Sequence, residues 1–143
     1  MNWVKDDGGR EASGHPKHSG DCVVRAVAIA TGSSYQEVWE DLESYCLSGR
    51  KRKRFSSPAK GIQIPLLKKY LALKGFRWVP LMGIGTGCRY HLRSDELPSG
   101  TLIVNLSLHV AAVVDGVLHD LSDCSRGGTR CVYGYWVRES CCG

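Results

Sequence analysis

The chain has 143 residues, 43% hydrophobic and 23% charged, values of an ordinary globular domain that exclude a disordered, fibrous or collagen-like chain. One domain is expected at that length, burying roughly two-thirds of its unfolded surface. The formal charge of +5 comes largely from Arg50, Lys51, Arg52, Lys53 and Arg54, with Lys60 following, so it marks a local patch rather than a basic protein; a solvated loop is its ordinary reading and nucleic-acid or partner binding the minority one.

Residues 1–18 are polar, contain Gly8-Gly9 and Gly14 and lack apolar periodicity. They predict a loosely ordered arm ahead of a single domain over 19–143. They also lack the apolar core of a signal peptide, and no run in the chain approaches the length of a membrane helix, so no membrane and a cytoplasmic location are expected. The seven cysteines are odd in number and irregularly spaced, which reads as mostly reduced thiols rather than a disulfide framework.

From Cys22 to Thr31 the sequence is apolar on nearly every side except at Arg25, the pattern of a helix buried inside the domain, and Gly32 ends it. Ser34 and Glu37 form a capping box, and Tyr35, Val38, Trp39, Leu42 and Tyr45 or Cys46 follow on one face of a second, amphipathic helix. A third helix is predicted from Pro65 in its first turn to Gly75 at its cap, with Leu66, Leu67, Tyr70, Leu71 and Leu73 as its apolar face. Phe76 to Leu81 reads as a strand. The Gly83 to Gly87 stretch lacks the Lys-Ser/Thr pair of a phosphate loop. After the Leu97-Pro98-Ser99-Gly100 turn, Thr101–Leu106, His109–Val114, Val117–Leu121 and Cys131–Val137 have strand character. The fold class is therefore α+β, with N-terminal helices, one of them buried and carrying Cys22, on one side of a C-terminal antiparallel sheet.

Cysteine chemistry needs a thiolate, and a helix N-terminus beside a histidine favours one. Cys22 occupies such a start, since Ser19, Gly20 and Asp21 all suit positions at or before an N-cap. Asp21 opposes the thiolate unless its carboxylate is committed elsewhere. Asp115-Gly116 between apolar runs predicts a two-residue hairpin. In that register Val114 pairs with Val117, Ala111 with Asp120 and His109 with Ser122, so His109 and Asp120 share a face as diagonal neighbours while His119 points the other way. Ala111 is the small residue where the cysteine helix is expected to approach. The catalytic candidates are Cys22 as nucleophile, His109 as its proton partner and Asp120 as the group orienting the imidazole.

The order Cys22, His109, Asp120, with the cysteine opening a central helix and the other two on a later sheet, resembles the papain-like cysteine peptidase superfamily. Ser19-Gly20-Asp21-Cys22-Val23-Val24-Arg25-Ala26 is also similar to the nucleophile segment of ovarian-tumour-type deubiquitinases, and the whole chain to short bacterial and tailed-phage papain-like proteins. The resemblance implies a Cys-His-Asp hydrolase working through an acyl-thioester on a polypeptide or ubiquitin-like protein substrate, in a host cytoplasm if phage-encoded. Transglutaminase or deamidase-type acyl transfer would use the same residues. Where the superfamily often has an upstream Gln as oxyanion donor, this chain has Pro16 and Lys17, so His18 or the backbone at Ser19 and Asp21 are the oxyanion candidates.

Neither a cofactor nor a metal is expected. His15, His18, Cys22, Cys124, Cys131, Cys141 and Cys142 are potential zinc ligands, but no pair has the Cys-x-x-Cys separation of most structural sites. The reading from a different class is a non-catalytic phage or bacterial protein that binds a host protein or nucleic acid through residues 50–54. Trp3, Trp39, Trp78 and Trp136 read as core or core-edge residues, with Trp78 or Trp136 able to line a cleft.

Overall fold

The computed structural model describes residues 1–17, 20–48, 58, 62–83 and 85–138. The basic run 50–54, His18 and Ser19 therefore lie outside the described residues, as do Cys141 and Cys142.

The first helix, α1 (Cys22–Thr31), is buried along most of its length and ends in left-handed Gly32, whose N–H donates to Ala28 O. It lies under α2 (Tyr35–Ser48), whose start is capped by Ser34 Oγ accepting from the Glu37 N–H at 3.1 Å. Tyr35, Val38 and Leu42 of α2 are almost completely buried. The third helix, α3 (Ile64–Leu73), has Pro65 in its first turn and buries Leu67, Tyr70 and Leu71. Leu73, expected on that face, is instead exposed, because two residues past Leu71 lie about 200° further round a helix.

The strands are β1 (Asn2–Lys5), β2 (Phe76–Pro80), β3 (Thr101–Leu106), β4 (His109–Val114), β5 (Val117–Asp120) and β6 (Gly134–Arg138). They form one sheet in the order β1-β5-β4-β3-β6-β2. The class is α+β, but the sheet is mixed and not antiparallel throughout, since β1 runs parallel to β5. Residues 1–17 accordingly differ from the expected loose arm. Asn2–Lys5 pairs with Val117–Asp120, and Arg10 is buried. All four β1 side chains are exposed, so the strand is held by its backbone ladder, for which apolar periodicity is no guide.

Alternation along β3 and β4 divides the core in two. Ile103, Val110, Ala112 and Trp136 face the three helices, whereas Leu102, Val104, Ala111, Val113 and Leu118 face a layer containing Leu92, Leu97 and Val132. The helix α1 thus approaches Ala112 and Val110, not Ala111 as expected. A Cys88–Cys131 disulfide is present, while Cys22 and Cys124 are free, so the expectation of mostly reduced thiols has one exception among the described residues. Trp136 is core, with its ring centroid 4.5 Å from that of half-buried Trp78. No described helix is long and apolar enough to cross a membrane.

Candidate active site

The hairpin register follows the turn chemistry. Asp115 and Gly116 both have positive φ (48° and 80°), as a two-residue turn of the primed type requires. Val114, Val113 and Ala112 then pair with Val117, Leu118 and His119. His109 begins β4 and Asp120 ends β5, so both stand at the open end of the hairpin, where His109 Nε2 meets Asp120 Oδ2 at 2.6 Å. His119 projects to the other face and contacts Asp6 Oδ2 through Nδ1 at 3.2 Å. Parity separates the two histidines as the sequence indicated.

Cys22 is the first residue of α1, half-buried and not in a disulfide. Its side chain lies against the helix-side core. Cys124, also free and half-buried, lies against the opposite core. The thiols of both cysteines act on the His109 imidazole. Cys124 Sγ, a His109 ring nitrogen and an Asp120 carboxylate oxygen all lie within 4.8 Å of one another. At the end of the sheet the imidazole is reached from both layers, which explains how Cys22 meets His109 although α1 covers the face of Ala112. With Nε2 engaged by Asp120, Nδ1 is the ring nitrogen left for a thiol.

Behind the imidazole lies a buried ionic chain. Arg25 Nη1 donates to Asp120 Oδ1 at 2.7 Å and Arg25 Nε to Asp21 Oδ1 at 3.0 Å. Asp21 also accepts from Arg10 Nη1 at 3.1 Å and from the Tyr35 hydroxyl at 2.7 Å. Burial would push the Asp21 carboxyl up, but the Tyr35 hydrogen bond and the two arginines hold it below the usual carboxylate range. An ion pair this deep persists only if every lone pair and proton is used, and here two carboxylates share one guanidinium while Arg10 supplies the second cation.

The same accounting sets the charges at the site. Burial works against ionisation of Asp120, yet its bond from His109, the Leu121 N–H and the charge of Arg25 hold it down at about 2. Burial alone would lower His109, but Asp120 and the Cys124 and Cys22 thiols raise it to about 11. At neutral pH the site therefore holds an imidazolium on an ionised carboxylate. A cationic histidine is the electrostatic partner that a thiolate needs.

Of the oxyanion candidates, His18 and Ser19 lie outside the described residues. Asp21 is the N-cap of α1 by position but makes no side-chain capping bond. Its carboxylate is an acceptor committed to Arg10, Arg25 and Tyr35, so the oxyanion donor expected at Asp21 is its backbone N–H. The first-turn N–H groups of Cys22, Val23 and Val24 have no intrahelical acceptor. They lie in the helical turn that carries the thiol.

Arg10, Arg25, Tyr35 and Cys124 were not among the predicted site residues. Arg25 carried a signal, as a lone cation in an otherwise apolar buried helix must find a partner. Arg10, Tyr35 and Cys124 carried none, because their partners are distant in sequence or depend on a loop path. A polar groove lined by Lys5, Asp6, Arg10, Glu11, Lys17 and Leu121, among others, opens beside the end of β5 without including Cys22 or His109.

No protein-family model matches the chain, and neither a curated protein nor a solved structure matches it.

Proposed function

We propose that the protein is a papain-like thiol hydrolase, with Cys22 as nucleophile, His109 as proton carrier and Asp120 as orienting carboxylate. The observation that carries the reading is the imidazole of His109, held through Nε2 by Asp120 at 2.6 Å and set beside a cysteine in the first turn of α1. In the reaction the Cys22 sulfur attacks the acyl carbon, forming a C–S bond while the C–N bond breaks, and the His109 proton passes to the departing amine. Water then gives a proton to the now neutral imidazole as its oxygen attacks the thioester, and Cys22 leaves as thiolate. The first-turn N–H groups of α1 would receive the charge on the carbonyl oxygen.

The substrate class proposed is a polypeptide, including a ubiquitin-like C-terminus, in a cytoplasmic setting. Transfer of the acyl group to an amine in place of water uses the same residues. The test is mass spectrometry of the metal-free protein treated with an acyl electrophile. Label on Cys22, slowed strongly by His109→Ala, is the expected result. Because Cys124 also faces His109, label on Cys124 with Cys22 untouched would sink the assignment.

A further inference from the structure

We propose that Leu108 is a specificity-determining residue that receives an apolar side chain of the polypeptide on the leaving-amine side of the bond cut; the inference rests on the thiol hydrolase reading and names a substrate feature that site selects. Strand β4 is entered and left by tight two-residue turns, Ser107-Leu108 between Leu106 and His109 and Asp115-Gly116 between Val114 and Val117. At the exit the left-handed positions fall to Asp and Gly, which tolerate them. At the entry the left-handed position is taken by Leu108, with φ 55°. There the Cβ of an ordinary side chain crowds the following carbonyl, and Gly or Asn is the usual occupant.

No contact within the fold offsets that strain. Leu108 is 102% exposed, so folding withdraws none of its apolar surface from water. Of the described non-glycine residues at positive φ it is the apolar one, Asp115 and Arg126 being charged. The turn does not depend on its side chain either, because it is pinned through Ser107, whose carbonyl oxygen accepts from Arg130 Nη2 at 2.7 Å. A strained backbone and a bare apolar side chain at one residue point to a contact made outside the chain.

Position gives that contact its identity. Leu108 is bonded to His109, one Cα step of about 3.8 Å away, at the end of the sheet where His109 meets Asp120. In the hydrolase reading the His109 proton passes to the departing amine, so the residue bearing that amine lies on the imidazole side of the cleft, within reach of Leu108. The strand order β5-β4-β3 sets the polar groove beside the end of β5 and the Ser107-Leu108 turn on the opposite flank of His109. The two flanks of the site therefore differ in chemistry, and the apolar one is the β3–β4 turn.

The experiment runs the leaving step in reverse. The whole protein is acylated at Cys22 with p-nitrophenyl acetate and offered equal concentrations of leucinamide and glycinamide, with Cys22→Ala as the background. The acceptor nitrogen forms a C–N bond as the C–S bond breaks, its proton passes to His109 and Cys22 leaves as thiolate, so the acceptor's side chain takes the place of the leaving residue's. Wild type should favour leucinamide about tenfold over background. Leu108→Met should keep most of that preference, and Leu108→Asn should bring it to within about twofold of background. Each ratio is read within one protein and is independent of how fast Cys22 is acylated. Leu108→Asn should also melt about 2 °C or more above wild type, since Asn accepts the left-handed conformation. A leucinamide preference that survives Leu108→Asn, or that is missing from the wild type, overturns the assignment and leaves the hydrolase. A lower melt of Leu108→Asn shows that Leu108 serves the fold and overturns it as well. A wild-type Cys22 that the ester never acylates removes the hydrolase reading and the role of Leu108 with it.

Discussion

The two ends of the β4–β5 hairpin are built on different principles. At the closed end, Asp115 and Gly116 take left-handed conformations, and the Gly100 N–H donates to Asp115 Oδ1 at 3.0 Å, so neighbours in sequence nearly suffice to define the geometry. At the open end, His109 and Asp120 are held by Arg25 on α1, which is itself held by Asp21, with Arg10 and Tyr35 supporting Asp21 from the N-terminal segment and α2. The backbone there is clamped as well, because the Trp3 indole and the Asp6 N–H both donate to Asp120 O at 3.0 Å. A turn can be local; a charged site in the interior cannot, since each buried ion needs a partner that the strand itself does not supply.

Cys22→Ala should give the largest effect at the open end, reducing the rate of any acyl-thioester turnover by at least about 10⁴-fold with an unchanged melt. Stopped-flow labelling or turnover of a peptide ester measures it. Substituting Arg25 by Met should strand Asp21 and Asp120 without their shared cation. A loss of about 3–5 kcal/mol in chemical denaturation is expected; a loss under about 1 kcal/mol would mean that the ionic chain does not hold the site.

The charge pair at the open end also predicts a pH window. His109 is raised from 6.5 to about 11, so its contribution is complete below about 6.5 and fades as pH climbs towards 11. Asp120 is lowered from 3.8 to about 2, so its contribution is complete above about 3.8 and fades as pH falls towards 2. The stability gap between metal-free wild type and His109→Gln should thus be widest between about pH 4 and 6.5 and narrow on either side. A gap that grows steadily above pH 7 would show the imidazole to be neutral.

Gly8 tests the link between the N-terminal segment and α1. It has φ +69°, and a Cβ there would lie 2.8 Å from Arg25 O. Gly8→Ala should cost about 1–3 kcal/mol and slow Cys22 labelling, because the displaced helix carries Arg25. The smallest effect belongs to the closed end: Gly116→Ala, strained at φ +80° with Ser94 Cβ 3.3 Å away, should cost about 1 kcal/mol and leave the labelling rate of Cys22 as it was. A matching loss of reactivity would erase the distinction between the two ends.

The sequence by itself determined the three helices, the hairpin register and the pairing of His109, not His119, with Asp120, because each rests on periodicity, caps or turn chemistry within a few residues. It also marked Cys22 as opening a buried helix. Only the tertiary structure decided that residues 2–5 complete the sheet in parallel with β5, since an exposed strand is held by backbone pairing that leaves no apolar trace. It placed Ala112 and not Ala111 beneath α1, because parity says which residues share a face but not which face a helix covers. It also gave Arg25 two carboxylates and brought Cys124 within 4.8 Å of His109 and Asp120, contacts set by how three separate elements meet at the end of the sheet.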